Sequence, residues 1–417
     1  MRHIYSAFMY LLTPYLFLRL WWKGRKIPAY RQRINERFCL GKMTKGTFDV
    51  WVHAVSLGEV IASTPLIEAL LAKKLRILIT SMTPTGAERV RIQFGERVTH
   101  RYIPYDLPDV LGRFFKAYSI KVGVIVETEL WPNLINQATN AKIPLFLVNA
   151  RLSERSCQGY KKIEFLIKPV LNQFKAILAQ SADDALRFKQ LGADEQRVAV
   201  FGNVKFDLQT KDVDVDLFQQ LKKRWDEKRV VVIAASTHDN EEELILANLK
   251  NLQAKMPNVI LLIAARHPER FTKVYELSRQ MGFNTSRRSQ PESLLPENEV
   301  VVLDSLGELL GFYHISDYAF VGGSFVPVGG HNVLEPIAMH VPVLCGPHVH
   351  NFKTICHDLQ QAKAIELVSD ANALMQVIGE LHGNNARRTQ LVNNASEVLI
   401  ANKGAVTRYA NKIVECL

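Results

Sequence analysis

Cysteine is scarce in this chain of 417 residues: Cys39, Cys157, Cys345, Cys356 and Cys416, with no C-x-x-C among them. An odd, widely spaced set excludes a disulfide framework and a zinc ribbon, and fits a reducing compartment. Phosphate-loop signatures are missing as well. Without G-x-x-x-x-G-K-[ST] the chain is no P-loop kinase or ATPase, and without G-x-G-x-x-G after the first strand it is no nicotinamide dehydrogenase. The nucleophile elbow G-x-S-x-G is absent, since Gly322-Gly323-Ser324-Phe325-Val326 fails at its last position. No H-E-x-x-H or clustered His/Cys set points to zinc, so neither metal nor cofactor is expected.

Acidic residues are rare at the start. Ten basic residues (Arg2, Arg19, Lys23, Arg25, Lys26, Arg31, Arg33, Arg37, Lys42, Lys45) face one acid, Glu36, within residues 1–48. That arm therefore carries nine of the eleven net positive charges. The body is nearly neutral, which argues against a nucleic-acid binder despite a pI near 9.3. Residues 4–18 carry no charge. As a helix they reach roughly 22 Å, short of a hydrocarbon core of about 30 Å, and Pro14 is expected to kink that helix or end its first turn. Trp21, Trp22 and the following basic cluster read as an interface anchor for anionic cytoplasmic lipids. A secretory signal is set aside, because the basic residues mostly follow the apolar run and no small-x-small site is evident. Whether the arm spans the bilayer or lies in its interface is left open by the sequence.

With 47% hydrophobic and 22% charged residues, the composition is that of a globular chain and excludes wholesale disorder. From residue 49 onward, short apolar runs alternate with helical periods. The runs are 50–54, 76–80, 98–103, 122–126, 145–148, 176–179 and 198–201, then 230–234, 259–264, 300–303, 318–321, 341–344 and 364–368. Continuous apolar runs mark parallel strands buried on both faces. The expected organisation is an anchor at 1–48, a Rossmann-like domain at 49–205, a linker at 206–228 and a second Rossmann-like domain at 229–417. The class is α/β, two doubly wound domains facing a cleft. The last stretch reads as helices, one of which can return to the first domain.

Ligands of such sheets bind beyond the carboxyl ends of the strands. The richest segment is 320–352. A strand ends in Gly322-Gly323-Ser324, and a second pair, Gly329-Gly330, leads through His331-Asn332 into a helix carrying Glu335. Bare glycines admit a ligand close to the backbone, a helix N-terminus suits a phosphate, and Glu335 can accept hydrogen bonds from ribose hydroxyls. Ser236-Thr237-His238 and Arg266-His267 end two further strands and can hold an anion. Glu241, Glu242 and Glu243 read as a solvated first helical turn.

In the first domain, Ser56-Leu57-Gly58-Glu59 follows the first strand. Glu59 is either a carboxylate at ease with the helix dipole or a general base for an acceptor hydroxyl. His53 reads as satisfied structure. Glu127 and Glu129, with Trp131, end the fourth strand, and Arg151, Asn203 and Lys205 offer further polar contacts for sugar or acceptor.

The strings HAVSLGE (53–59), ETELWPN (127–133), NARLS (149–153), ASTH (235–238), RHPER (266–270) and GGSFVPVGGHNVLEP (322–336) stand in that order. Together the chain resembles the 3-deoxy-D-manno-octulosonic acid (Kdo) transferases of lipopolysaccharide biosynthesis. The resemblance implies a GT-B fold, inverting transfer from CMP-Kdo to a lipid A precursor (lipid IVA), and a place at the cytoplasmic face of the inner membrane. It implies Glu59 as the base, a functional Glu127 with Glu129 kept open, and CMP held by Gly329, Gly330, Asn332 and Glu335 with Arg266. The family often has Gly-Glu-Glu after Ser-Thr-His, where this chain has Asp239-Asn240-Glu241-Glu242. Rival readings are another GT-B transferase using a UDP-sugar and a lipid acceptor, and a nucleotide-sugar isomerase on the same scaffold.

Overall fold

The computed structural model describes residues 1–41, 44–208 and 213–417. Lys42 of the basic arm and residues 209–212 of the expected linker lie outside them. The chain divides into two compact units, Met1–Asp207 with Asn402–Leu417, and Leu208–Ala401.

The first unit is built on seven parallel strands: β1 (Gly46–His53), β2 (Ile77–Ser81), β3 (Thr99–Tyr102), β4 (Tyr118–Val126), β5 (Leu145–Ala150), β6 (Ala176–Ala179) and β7 (Val198–Val200). Their order is β3-β2-β1-β4-β5-β6-β7. Alternation along each strand serves two cores. Val50, Val52, Val122 and Val124 pack on one face, and Trp51, Ile125 and Leu147 on the other. Helices cover both faces, which is why these strands read as unbroken apolar runs.

The second unit repeats the plan with β8 (Val230–Thr237), β9 (Val259–Ala265), β10 (Thr285–Arg287), β11 (Val300–Val302), β12 (Tyr318–Val321), β13 (Val343–Cys345) and β14 (Glu366–Leu367), in the order β10-β11-β9-β8-β12-β13-β14. The edge strand β10 is not among the expected runs, being three residues long and polar. The helix Val215–Arg224 falls within the expected linker, yet Phe218 and Leu221, with Trp225 just beyond it, are buried against Val231 and Phe312 of this unit.

At the other end of the chain, the helix Ala405–Val414 belongs to the first unit, where Tyr409 and Ile413 join the buried cluster that also holds Val50, Val52 and Val124. Asp207 caps it, accepting the N–H groups of Gly404 at 2.6 Å and Val406 at 2.5 Å. Burying each large side chain contributes roughly 1.5–3 kcal/mol, so this helix is part of that unit's core.

The N-terminal helix Arg2–Lys26 continues through Pro14, so the helix does not end there. A narrow stripe buries Ser6, Leu16, Leu20 and Gly24. The Ser6 hydroxyl donates to Asn133 at 2.9 Å, and Tyr10 donates to Asp109 at 2.5 Å. On another face Ile4, Phe8, Leu11, Tyr15, Leu18 and Trp22, spaced by three and four, are exposed, Leu11 by 81%. Among the described residues no helix is long and apolar enough to cross a membrane.

Candidate active site

Strand order locates the site in each unit. In the first sheet the chain winds one way from β1 through β2 to β3, then the other way from β4 to β7, so the winding reverses between β1 and β4. In the second it reverses between β8 and β12. Such reversals open a crevice at the strands' carboxyl ends. The four segments found there are 54–59, 127–131, 236–242 and 322–325.

In the first unit, Ser56 caps the helix Leu57–Ala72, its hydroxyl accepting the Glu59 N–H at 3.4 Å. The Glu59 carboxylate folds back, taking the Val55 N–H at 2.8 Å and the Ser56 hydroxyl at 2.7 Å. This reciprocal cap places a carboxylate at the switch point with only 8% exposure. Burial lifts its pKa from 4.5 to about 7; the Ser56 hydroxyl and Val55 N–H oppose the lift, and the Glu129 and Glu127 charges add to it. Gly58 is exposed, and a Cβ there would meet nothing nearer than Ser56 Oγ at 3.9 Å among the described residues. Its bareness leaves the backbone beside Glu59 open.

Glu127 sits at φ 60°, left-handed backbone that a non-glycine residue holds only under constraint. Its neighbour Thr128 donates to the Arg151 carbonyl. Glu129 accepts the Trp131 indole N–H at 2.6 Å, and burial holds its pKa above the usual carboxylate range. Trp131 stands edge-on to His53 at 5.3 Å. His53 is wholly buried with Nδ1 on the Thr80 hydroxyl at 3.0 Å, and burial pushes its pKa down to about 3. Its Nε2 has no partner among the described residues, so it is less fully satisfied than its strand position suggests. Lys205 is near enough to feel both Glu127 and Arg151, and burial lowers its pKa. Asn203 turns its side chain to Gln180 and the Lys205 N–H, as a turn residue does. Three carboxylates and a lysine thus gather around this strand end.

In the second unit, Ser236 at φ 56° brings its carbonyl to 2.7 Å of where a Cβ on Gly322 would stand, so only glycine fits there. Beyond it, His238 and His331 stack, their Nε2 atoms 2.8 Å apart, and His267 meets His238 edge-on. Burial, then Arg266 and the neighbouring rings, push His331 down to about 4. Burial lowers the His238 pKa too, so both rings are pushed toward the neutral form, in which one can donate and the other accept. Asn332 donates to Glu335 at 3.0 Å, and burial raises the Glu335 pKa against the pull of Asn332 and Arg266. Exposed Arg266, half-buried Glu335 and the three histidines form one polar cluster.

Other residues serve the scaffold. The Thr237 and Ser324 side chains are fully buried, their hydroxyls given to Glu242 at 2.8 Å and the Val321 carbonyl at 2.6 Å. The N–H groups of Gly323 and Ser324 are taken by Glu241. The helix carrying Glu335 has five residues, Leu334–Ala338, and Gly329 and Gly330 direct their N–H groups to the Gly323 carbonyl at 3.1 and 2.8 Å. The expected solvated turn is also corrected. Glu241 and Glu242 are buried, at 0% and 1% exposure, and only Glu243 faces solvent.

No motif announces the turn after β11. Ser305, Leu306, Gly307, Glu308 and Leu309 line a cavity of about 190 Å³ with Ser236, Ala264 and Arg266. Its only sequence signal is Asp304-Ser305-x-Gly307-Glu308 behind an apolar run.

Comparison with known proteins supplies the family. Residues 32–208 match the family model described as 3-deoxy-D-manno-octulosonic-acid transferase (kdotransferase). A 3-deoxy-D-manno-octulosonic acid transferase from Haemophilus influenzae is 40% identical over 412 residues, 98% of this chain and 96% of the relative. One from Bordetella pertussis is 31% identical over 435 residues, 100% of this chain and 99% of the relative. Among solved structures, a glycosyltransferase from Rickettsia africae shares the fold at 16% identity, with a TM-score of 0.57, over 90% of this chain and 99% of that one. The pair of doubly wound units is thus of the GT-B kind, and the chain belongs to the 3-deoxy-D-manno-octulosonic acid transferases, enzymes that transfer this sugar.

Proposed function

We propose that the chain moves Kdo from CMP-Kdo to a hydroxyl of a lipid A precursor, with Glu59 as general base. The observation that carries this is the Glu59 carboxyl, held near a pKa of about 7 at a switch point beside Glu127 and Glu129. A base poised near the working pH takes a proton most effectively. In the step, the acceptor oxygen bonds to the anomeric carbon of Kdo from the face opposite the phosphate. The bond from that carbon to the phosphate oxygen breaks, CMP leaves with the electron pair, and the acceptor proton passes to Glu59. Configuration inverts.

The second unit holds the donor in this reading. Arg266 and the histidines offer charge and hydrogen bonds to its anionic groups, and Glu335 takes the ribose hydroxyls. The cavity behind Ser236 is large enough for a pyrimidine ring. The exposed apolar stripe from Ile4 to Trp22, ringed by Arg19, Lys23, Arg25 and Lys26, suits a helix lying in the headgroup layer of an anionic inner-membrane leaflet, with the body on the cytoplasmic side.

The test is incubation of the full chain with CMP-Kdo and a lipid A precursor, followed by mass analysis of the lipid. Gain of Kdo by the lipid is the expected result. Turnover only with a UDP-sugar, or isomerisation of a nucleotide sugar without lipid, overturns the reading. Flotation with anionic vesicles tests the arm, and Leu11→Glu with Leu18→Glu is expected to abolish it.

A further inference from the structure

Buried carboxylates are rare unless paired or fully hydrogen-bonded. Among the described residues Glu241 has no ion-pair partner, and it is completely buried. Its carboxylate instead accepts four backbone N–H groups. Oε1 takes Ser324 at 3.0 Å and Phe325 at 2.9 Å, and Oε2 takes Gly323 at 2.7 Å and His238 at 2.9 Å. A carboxylate can accept two N–H groups on each oxygen, whereas a glutamine would set an NH₂ against two N–H donors.

What the gripped peptides do at their other ends gives this contact its meaning. The peptide joining Gly323 to Ser324 gives its N–H to Glu241 and its carbonyl to the N–H groups of Gly329 and Gly330. The next peptide gives its N–H to Glu241 and its carbonyl to His348 N–H at 2.9 Å. Gly329 in turn accepts the Asn351 N–H. A single carboxylate thus orients two peptide units that fix the 329–330 turn and the 346–351 loop. Hydrogen-bonded chains of this kind strengthen one another in a buried setting.

We infer that Glu241 is a positioning residue for the donor site, clamping Gly323–Phe325 so that the Gly329–Gly330 turn and its neighbours His331, Asn332 and Glu335 stand ready for the nucleotide. The clamp rests on the proposed function only in that these residues receive the donor. A buried negative charge beneath an anion site opposes binding by Coulomb repulsion, so its place there is explained by geometry.

The experiment compares wild type, Glu241→Gln and Glu241→Asp as full chains. Hydrogen exchange without ligand reads the clamp itself. Faster exchange at 323–330 and 346–349 in the Gln variant is expected, and unchanged exchange overturns the clamp. Steady-state kinetics then read its purpose. The donor kcat/KM is expected to fall by roughly 10²-fold, as for a site displaced by about 1 Å. The acceptor KM stays put, and Asp, which keeps the charge, recovers part of the loss. Loosened turns with an unaltered donor KM, or a loss confined to the acceptor KM, would falsify the positioning role. Should the Gln variant fail to fold, the Asp variant carries the same two readouts. If wild type itself binds no CMP, the donor assignment falls, while the exchange data still decide the clamp.

Discussion

Replacing Glu59 by glutamine separates catalysis from stability and gives each a sign. Each pH unit of displacement is worth about 1.4 kcal/mol. A shift from 4.5 to about 7 therefore disfavours the ionised form in the folded chain by about 3 kcal/mol. The folded pKa is raised, so the folded state holds the proton more tightly than the unfolded one. Stability contributed by the protonated acid is present below 4.5, is lost as pH rises to about 7, and stays lost above. Glutamine removes that loss but keeps only one good acceptor for the Val55 N–H and Ser56 hydroxyl, a loss of about 1 kcal/mol. The net expectation at pH 8 is a gain of about 2 kcal/mol, or roughly 4–8 °C in midpoint for a unit of this size. At pH 4 the gain disappears. Turnover should fall by roughly 10²–10⁴-fold. In wild type, kcat/KM should climb tenfold per unit toward about pH 7 and level off. Thermal scans at both pH values and a pH–rate profile decide the matter. A variant less stable than wild type at pH 8, or an acid limb near 4.5, would show that Glu59 is an ordinary helix cap.

Three further outcomes are expected. Glu129→Gln removes a charge that holds the Glu59 pKa up while leaving an oxygen for the Trp131 indole, so the acid limb of the rate profile moves to lower pH; a move upward refutes the coupling. Glu335→Ala weakens CMP binding by roughly 10–100-fold in calorimetric titration, the value of hydrogen bonds to a charged acceptor. Asp207→Asn leaves one of two N–H groups at the start of the terminal helix without its acceptor. It should lower stability by about 1 kcal/mol and open 402–417 to limited proteolysis.

Much of this was readable from the chain. Among the described residues, thirteen of fourteen strands fall on runs seen in the sequence, most of them because strands buried on both faces need no partner information to be recognised. Motifs at strand ends marked Glu59, Glu127, His238 and Glu335, since a parallel sheet gathers its chemistry there. The failures share a cause. Glu241 and Glu242 look like dipole decoration at a helix start, but Glu241 has partners some eighty residues away at Gly323–Phe325. The 303–309 turn carries only a faint signature, Asp304-Ser305-x-Gly307-Glu308, because its contribution is a cavity wall. Helix Ala405–Val414 joins the first unit through Asp207 and Tyr409, pairings that no local pattern encodes.

That last pairing bears on how the protein is made. Emerging from a ribosome at about 5–20 residues per second, the first unit must wait roughly 10–40 s while about two hundred residues of the second are synthesised before its closing segment exists. During that interval the core that holds Val50, Val52 and Val124 lacks Tyr409 and Ile413. The nascent amino-terminal half thus holds an incomplete apolar core until synthesis ends, whereas residues 208–401 can complete their own without that delay.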